Sequence, residues 1–169
     1  WEAVFCVGTG SDTGGFWVGQ NNSNEFVVRA FSVGDQLTFS TLPSVNQWTH
    51  VAVSRSGSTL KLFYNGTQQA SVSNSYDFQG GTATWVCNDG YSQRFTGRVS
   101  NLRLVKGEAL YTSNFTEPSA PLSTTSQNAT SDKVKLLCCN KNYAITGATI
   151  TPGTITSNGD PTLSTTSPF

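Results

Sequence analysis

The side chains that most often do chemistry are sparse in this sequence, and their spacing argues against several common kinds of site. His50 is the only histidine. The four cysteines, Cys6, Cys87, Cys138 and Cys139, form no Cys-x-x-Cys pair. We therefore expect no zinc centre built from Cys and His ligands. His50 lies within an apolar strand pattern, so we expect a framework residue rather than the base of a Ser-His-Asp triad.

The cysteines leave two interpretations of their redox state open. Cys138 and Cys139 are adjacent, and adjacent residues on a strand point to opposite faces of the sheet, so we do not expect them to bond to each other. One interpretation is that all four cysteines are small buried thiols. The other is a disulfide bridge between the strands that carry Cys6 and Cys87.

A second chemistry to consider is sugar binding. An exposed aromatic ring stacks on the sugar, while amide, carboxylate or basic groups beside it form hydrogen bonds. The alternative for each tryptophan is a place in the core or in cross-strand packing. The residues that we predict for such a binding site are Trp17, Trp85, Asn88, Asp89, Tyr91 and Arg94.

Composition limits the class of partner. Charged residues make up only 12% of the 169 residues, and the ten basic and ten acidic side chains cancel. Such a balance gives no electrostatic surface for nucleic acid or for an anionic membrane. No apolar run approaches the roughly 18 residues that a membrane-spanning helix needs. We therefore expect neither a nucleic-acid partner nor a membrane partner.

Short apolar runs recur along the chain and are separated by turn residues. The dipeptide Asn65-Gly66 lies between two such runs, and it is a strong hairpin signal because both central residues of that turn need positive φ. We predict one helical turn at 108–111, where the sequence reads Glu-Ala-Leu-Tyr. Strands are predicted over residues 4–7, 15–18, 25–31, 36–39, 48–55, 59–64, 67–72, 83–87, 94–105 and 133–139.

This pattern predicts an all-β fold, a two-sheet antiparallel β-sandwich with less than about 10% helix. We expect the sandwich to occupy residues 1–140, followed by an extended C-terminal strand or linker over residues 141–169, where prolines confine any strand to a sheet edge. The side chains expected in the core are Val51, Val53, Leu60, Leu62, Leu102 and Leu104, with Trp48 largely buried.

Two segments resemble a known family. Residues 47–66, which read QWTHVAVSRSGSTLKLFYNG, and residues 95–107, which read FTGRVSNLRLVKG, resemble the laminin G-like jelly rolls of the concanavalin A-like family. Residues 109–118 and 151–161 are similar to the version found in structural proteins of marine bacteriophages, especially cyanophages. Members usually carry one or two strands before the position of Trp1, so we expect the chain to be a module of a longer protein.

The resemblance suggests an enzymatic function, but the acidic residues of this sequence argue against it. Relatives of this fold include retaining glycosidases whose Glu-x-Asp-x-Glu strand brings two carboxylates to about 5 Å from each other. This sequence has no such strand, and its two closest acidic residues, Glu108 and Glu117, are nine positions apart. We therefore expect no enzyme.

The resemblance also implies a possible cofactor, because laminin G-like modules often hold calcium with Asp and Asn oxygens. Asp77, Asn88 and Asp89 are the residues that would hold it here. The sequence Asn88-Asp89-Gly90 is equally typical of a plain turn. Calcium is therefore an open alternative to the expectation of no cofactor.

The function implied by the resemblance is non-catalytic. We expect a module of the virion surface, as part of a fibre, an appendage or a capsid decoration, that assembles with other virion proteins as a homo-oligomer. Its loops or flat face would bind a neighbouring protein or a host glycan. The alternative is an extracellular adhesin or filament subunit of a bacterium. A glycan hydrolase is the third interpretation, and the missing carboxylate pair disfavours it.

Overall fold

The computed structural model describes residues 1–141 and 143–169. Strands hold 34% of the residues and helices hold 4%, and the sheets are antiparallel, which confirms the predicted all-β class and its low helix content. The described part of the chain contains no helix that is long and apolar enough to cross a membrane. The strands are β1 (Glu2–Val7), β2 (Phe16–Gln20), β3 (Phe26–Ala30), β4 (Gly34–Phe39), β5 (Val51–Ser56), β6 (Thr59–Tyr64), β7 (Thr67–Ser73), β8 (Thr84–Val86), β9 (Leu102–Val105), β10 (Val134–Cys138) and β11 (Ala148–Ile150).

The chain divides into two compact units, Trp1–Gly97 and Arg98–Phe169. Strands β1 to β8 lie in the first unit and β9 to β11 in the second. The sequence predicts a boundary after residue 140 instead, because the strands around residues 102 and 136 resemble further strands of the same sandwich.

The first unit is a two-sheet sandwich. One sheet has the order β4-β3-β2-β1-β8, and the other has the order β5-β6-β7. Side chains from the inner faces of both sheets form one core cluster, which removes apolar surface from water and holds the two layers together. The buried members of this cluster are Phe26, Val28, Leu37, Leu60, Leu62 and Tyr64.

The hairpin predicted at Asn65-Gly66 is confirmed. Strands β6 and β7 pair antiparallel across it, with Tyr64 opposite Thr67. Asn65 has φ of 47° and Gly66 has φ of 75°, so both central residues adopt the left-handed conformation that a two-residue hairpin needs. This turn fixes the register that sends alternate β6 side chains into the core.

The core predictions are confirmed at β6 and wrong at the start of β5. Leu60 and Leu62 are buried, at 2% and 0% exposure. Val51 is 38% exposed, because it begins β5, which lies at the edge of its sheet. The remaining residues of the predicted core, Val53, Leu102, Leu104 and Trp48, are only partly buried.

The second unit is organised around β10. This strand pairs with β9 on one side and with β11 on the other, both antiparallel. Leu137 is fully buried at its centre, where it lies in a cluster with Val134 and Ala129. The expected edge strand in the C-terminal segment is therefore β11, and the residues from 151 to 169 follow it without further strand.

Two local predictions in this unit are wrong. The strand predicted over residues 94–105 begins only at Leu102, because Asn101 has φ of 56°, which is incompatible with extended backbone. The helical turn predicted at 108–111 is absent from the described structure of that segment, and 3-10 helices occur instead at Ser126–Asn128 and Ser131–Lys133. The Glu108 carboxylate bonds to Thr130 rather than to its own turn.

Candidate binding site

Four of the six predicted sugar-binding residues, Asn88, Asp89, Tyr91 and Arg94, lie in one loop at the edge of the larger sheet. This loop, residues 88–94, follows β8, and we call it the β8 loop. Both of its ends are fastened to β1. The N–H of Cys87 donates to the carbonyl of Val4 at 2.8 Å, and Arg94 forms a parallel bridge with Ala3. The loop therefore begins and ends beside the same strand, β1, and these two contacts restrict its backbone.

The carboxylate of Asp89 organises the interior of the β8 loop. Asp89 is only 6% exposed. Its Oδ1 accepts hydrogen bonds from the backbone N–H groups of Tyr91 at 2.9 Å, Ser92 at 3.1 Å and Gln93 at 3.0 Å. Hydrogen bonds to an ionised carboxylate are stronger than neutral ones. A single oxygen thus fixes three consecutive residues of the loop.

Asn88 and Gly90 complete the turn. The Oδ1 of Asn88 accepts a hydrogen bond from the N–H of Gly90 at 2.8 Å, which is the side-chain-to-backbone bond of an Asx turn. Gly90 has φ of 84°, and a Cβ added there would lie 2.8 Å from the Cε2 and Nε1 atoms of Trp85. The loop backbone therefore rests directly on the indole of Trp85, and only glycine leaves room for that contact.

The side chain that this loop exposes is Tyr91. Its exposed fraction is 64%, and Arg94 is also exposed. The hydroxyl of Tyr91 reaches across to Gly10, where an added Cβ would lie 3.5 Å from the phenol oxygen. Because Gly10 has no side chain, it does not cover the Tyr91 ring. An exposed aromatic ring can stack on a sugar ring, and a guanidinium group exposed in the same loop can bond to the hydroxyls of the sugar.

The two tryptophans of the predicted set have different environments from Tyr91. Trp17 is 4% exposed and lies in a core cluster with Cys6 and Ala3, so its burial removes it from the predicted contact surface. Trp85 is half-buried against the same cluster, and its Nε1 has no hydrogen-bond partner in the described part of the chain. Trp85 acts as a support beneath Gly90 rather than as an exposed platform.

The residues named for calcium do not fit a calcium site in this geometry. The Oδ1 atoms of Asp89 and Asn88 already accept hydrogen bonds from backbone N–H groups. The partial positive charge of these donors would repel a calcium ion placed at the same oxygens. Asp77 is exposed, and its Oδ2 accepts a hydrogen bond from Nε2 of Gln79 at 2.6 Å. Within residues 1–141 and 143–169, no group of three or more His, Cys, Asp or Glu side chains is placed to hold a metal ion.

Other carboxylates also stabilise loops. Oδ2 of Asp12 accepts hydrogen bonds from the N–H of Thr9 at 2.8 Å and from the N–H and hydroxyl of Thr82 at 3.1 and 3.0 Å. The backbone bond from Thr82 and then that from Thr9 are the main causes that hold the pKa of Asp12 below its ordinary value. The hydroxyl and N–H of Thr130 lower the pKa of Glu108 in the same way. A general acid of a glycosidase needs a raised pKa, which neither group has.

The cysteines are all thiols in the structure. Cys6 lies opposite Trp85 in the β1–β8 ladder, and Cys87 follows β8 opposite Val4. A bridge between Cys6 and Cys87 is therefore not formed in this structure. Burial, and after it the charges of Asp89 and Asp12, raises the pKa of Cys6 to about 12, which leaves its thiol protonated and unreactive.

Reasoning from the sequence named the members of the β8 loop but missed the residues that position it. Gly10 and Gly90 create the space for Tyr91 and Trp85, and Asp12 joins the segments around Thr9 and Thr82. The Asn-Asp-Gly triplet was a sufficient signal for a turn at residue 90. No pattern in the sequence could signal the contact of Asp12 with a residue 70 positions away.

The sequence profile of the concanavalin A-like lectin/glucanases superfamily, in its laminin G-like form, matches residues 1–110. The comparison with curated proteins found no match, and the comparison with solved structures also found none.

Proposed function

The chain belongs to the concanavalin A-like lectin/glucanases superfamily, and from this premise we propose that it is a non-catalytic binding module whose β8 loop contacts a glycan. The observation that carries this proposal is the buried Asp89 carboxylate, which holds three N–H groups and leaves the neighbouring Tyr91 ring 64% exposed. A loop fixed before it meets its ligand loses less conformational freedom on binding, which favours affinity.

The absence of catalysis is part of the proposal and is supported by the chemistry of the carboxylates. Hydrolysis of a glycoside needs one carboxyl group that stays protonated as an acid and a second one about 5 Å from it, or farther in inverting enzymes. Asp12 and Glu108 have lowered pKa values, and Asp89 uses Oδ1 to hold its own loop. These groups are suited to stabilising backbone rather than to transferring a proton.

We further propose that the module acts on a virion surface, as part of a fibre, an appendage or a capsid decoration, where it assembles with other virion proteins. This proposal rests on the likeness of residues 109–118 and 151–161 to structural proteins of marine bacteriophages. The alternative location is the surface of a bacterium, as an adhesin or filament subunit. Both locations use the same activity, which is attachment of a rigid sandwich to a glycan or to a neighbouring subunit.

The binding proposal is tested on an array of bacterial and algal surface polysaccharides. The purified chain should bind at least one polysaccharide, and Tyr91→Ala should weaken that binding by about tenfold, the equivalent of about 1.4 kcal/mol of lost stacking. Tyr143→Ala is the matched control, because Tyr143 is also exposed, at 74%, but lies outside the β8 loop. If the two variants lost affinity equally, or if no polysaccharide bound, the proposal would be wrong.

The location is tested separately by immunogold electron microscopy. Antibodies against the chain should label intact phage particles in lysates of the source culture. Label on the bacterial envelope in uninfected cells would instead favour the adhesin.

A further inference from the structure

The second unit contains a pair of thiols whose arrangement the sequence does not predict. Strand alternation predicts that Cys138 and Cys139 point to opposite faces, and this prediction is wrong. The Sγ of Cys139 lies 3.7 Å from the Sγ of Cys138 and donates a hydrogen bond to it. The two adjacent thiols therefore face each other.

The cause is the backbone conformation at the end of β10. This strand ends at Cys138, and the next residue, Cys139, has φ of 56°, the left-handed conformation that residues with a Cβ rarely adopt. That rotation turns the Cys139 side chain back toward its neighbour. The carbonyl of Cys139 accepts a hydrogen bond from the N–H of Asn101 at 2.9 Å, which helps to hold this conformation.

The two thiols differ in access and acidity. Cys138 is 3% exposed and lies between Leu102 of β9 and Ala148 of β11 in the sheet. Cys139 is partly exposed. When Cys139 is a thiolate, the Cys138 thiol donates the hydrogen bond to it, which lowers the pKa of Cys139 and increases the fraction of thiolate, the reactive form of a thiol. By contrast, burial raises the pKa of Cys6.

We propose that Cys138 and Cys139 form a redox modification site that closes to a vicinal disulfide on reaction with a low-molecular-weight disulfide. The facing Sγ atoms at 3.7 Å and the left-handed backbone of Cys139 carry this inference. Closing the bond requires the sulfur atoms to approach by about 1.7 Å, from 3.7 Å to a bond length of about 2.05 Å. The site lies outside the β8 loop and does not depend on the proposed function.

The reaction is a pair of thiol–disulfide exchanges. The Cys139 thiolate attacks one sulfur of the small disulfide, forms a mixed disulfide and releases one thiol. Cys138 then loses its proton to solvent and attacks the Sγ of Cys139, which forms the Cys138–Cys139 bond and releases the second thiol. Two protein thiols are oxidised and one small disulfide is reduced, so atoms and electrons balance.

The vicinal disulfide is expected to be easily reduced back to two thiols. Adjacent Cα atoms across a trans peptide are about 3.8 Å apart, which is shorter than the span of about 4.4–6.8 Å in most disulfides. The ring that a disulfide closes between adjacent residues is therefore strained, and strained disulfides are easily reduced. The pair is therefore suited to respond to redox conditions rather than to cross-link the fold.

The test uses the full chain and oxidised glutathione. After treatment under native conditions, the intact mass should fall by about 2 Da, and peptide mapping should place the bond between Cys138 and Cys139. Cys138→Ser should instead accumulate a stable mixed disulfide on Cys139, because the second attacking thiol is absent. The double variant Cys6→Ser, Cys87→Ser is the control and should react like the parent chain.

Reduced glutathione in about tenfold excess should then restore the parent mass. The proposal is overturned if the parent chain keeps a mixed disulfide at Cys139, forms intermolecular dimers through these residues, or leaves both thiols unreacted while the unfolded chain reacts. Circular dichroism of each variant establishes that it is folded. If Cys138→Ser is not folded, Cys139→Ala should be substituted for it, and this variant should lose all glutathione-dependent mass change at the pair.

Discussion

Asn65 and His50 exchange two hydrogen bonds at the end of the β5–β6 pair, where β5 begins and β6 ends. The N–H of Asn65 donates to the carbonyl of His50 at 2.9 Å, and the N–H of His50 donates to the side-chain Oδ1 of Asn65 at 2.8 Å. Asn65 also has the positive φ that its place in the β6–β7 turn requires. One asparagine therefore stabilises the turn and the entry to β5 together.

The substitution Asn65→Ala should lower the free energy of unfolding by about 1–3 kcal/mol. It places an ordinary side chain in the left-handed conformation and removes the acceptor for the N–H of His50. Asn65→Gly keeps the conformation but not the acceptor, so its effect should be smaller. Asn158→Ala, in the exposed C-terminal segment, is the control. Urea denaturation measures all three, and equal stability of Asn65→Ala and the control would contradict this assignment.

Leu62→Ala should cost about 2–5 kcal/mol, because it leaves a cavity in the cluster that joins the two sheets of the first unit. Val51→Ala is the comparison on the neighbouring strand. Val51 is 38% exposed, so its substitution should cost less than about 1 kcal/mol. Thermal denaturation of both variants decides the point. A Leu62→Ala variant that melts with the parent chain would show that the cluster is not the core.

The Asn65 turn and the Leu62 core show which features of the fold can be predicted from the sequence. The Asn65-Gly66 turn and the burial of Leu60 and Leu62 were predictable, because turn chemistry and strand alternation are local properties. The exposure of Val51 was not, since the sequence does not say which strand lies at a sheet edge. The left-handed conformation of Asn101, which shortens β9, also has no signal in an otherwise regular strand pattern.

Acid should weaken the loop that Asp12 organises. Its pKa is lower in the folded chain than its ordinary value, because donors from Thr82 and Thr9 stabilise the charged form. The resulting stability is complete above the ordinary pKa of about 3.9 and is lost as the pH falls below it, through the lowered value of the folded chain. Asp12→Asn should therefore differ from the parent chain at pH 7 and converge with it in acid.

Urea denaturation between pH 7 and pH 2 measures that convergence. Asp160→Asn, on an exposed carboxylate near the C-terminus, should follow the parent chain throughout. A constant difference between Asp12→Asn and the parent at every pH would mean that the charge of Asp12 has no part in the effect.

Truncation separates β11 from the residues that follow it. A chain that ends at Pro152 keeps the pairing of Leu137 with Ile150 and should remain folded. A chain that ends at Asn140 lacks β11 and exposes an edge of β10, so it should aggregate. We propose that the residues after 152 reach a neighbouring copy, and the shorter folded chain should then fail to form the oligomers of the full chain. Light scattering after size-exclusion chromatography measures this.

Residue type predicted the exposure of some residues of the candidate site and failed for others. Tyr91 and Arg94 were named from residue type and are exposed as expected. Trp17 carried the same signal, but its position in the central part of the sheet buries it. The use of the Asp89 oxygen to bind three N–H groups depends on the path of the loop, which local sequence does not determine.

The most direct test of the proposed function is a titration followed by NMR. The isotope-labelled chain is titrated with an oligosaccharide prepared from the polysaccharide that binds it on the array. The amide signals of residues 88–94 and the ring signals of Tyr91 should shift first and in proportion to occupancy, while those of β6 and β10 stay in place. Shifts that fall elsewhere on the chain and spare the β8 loop would contradict the account.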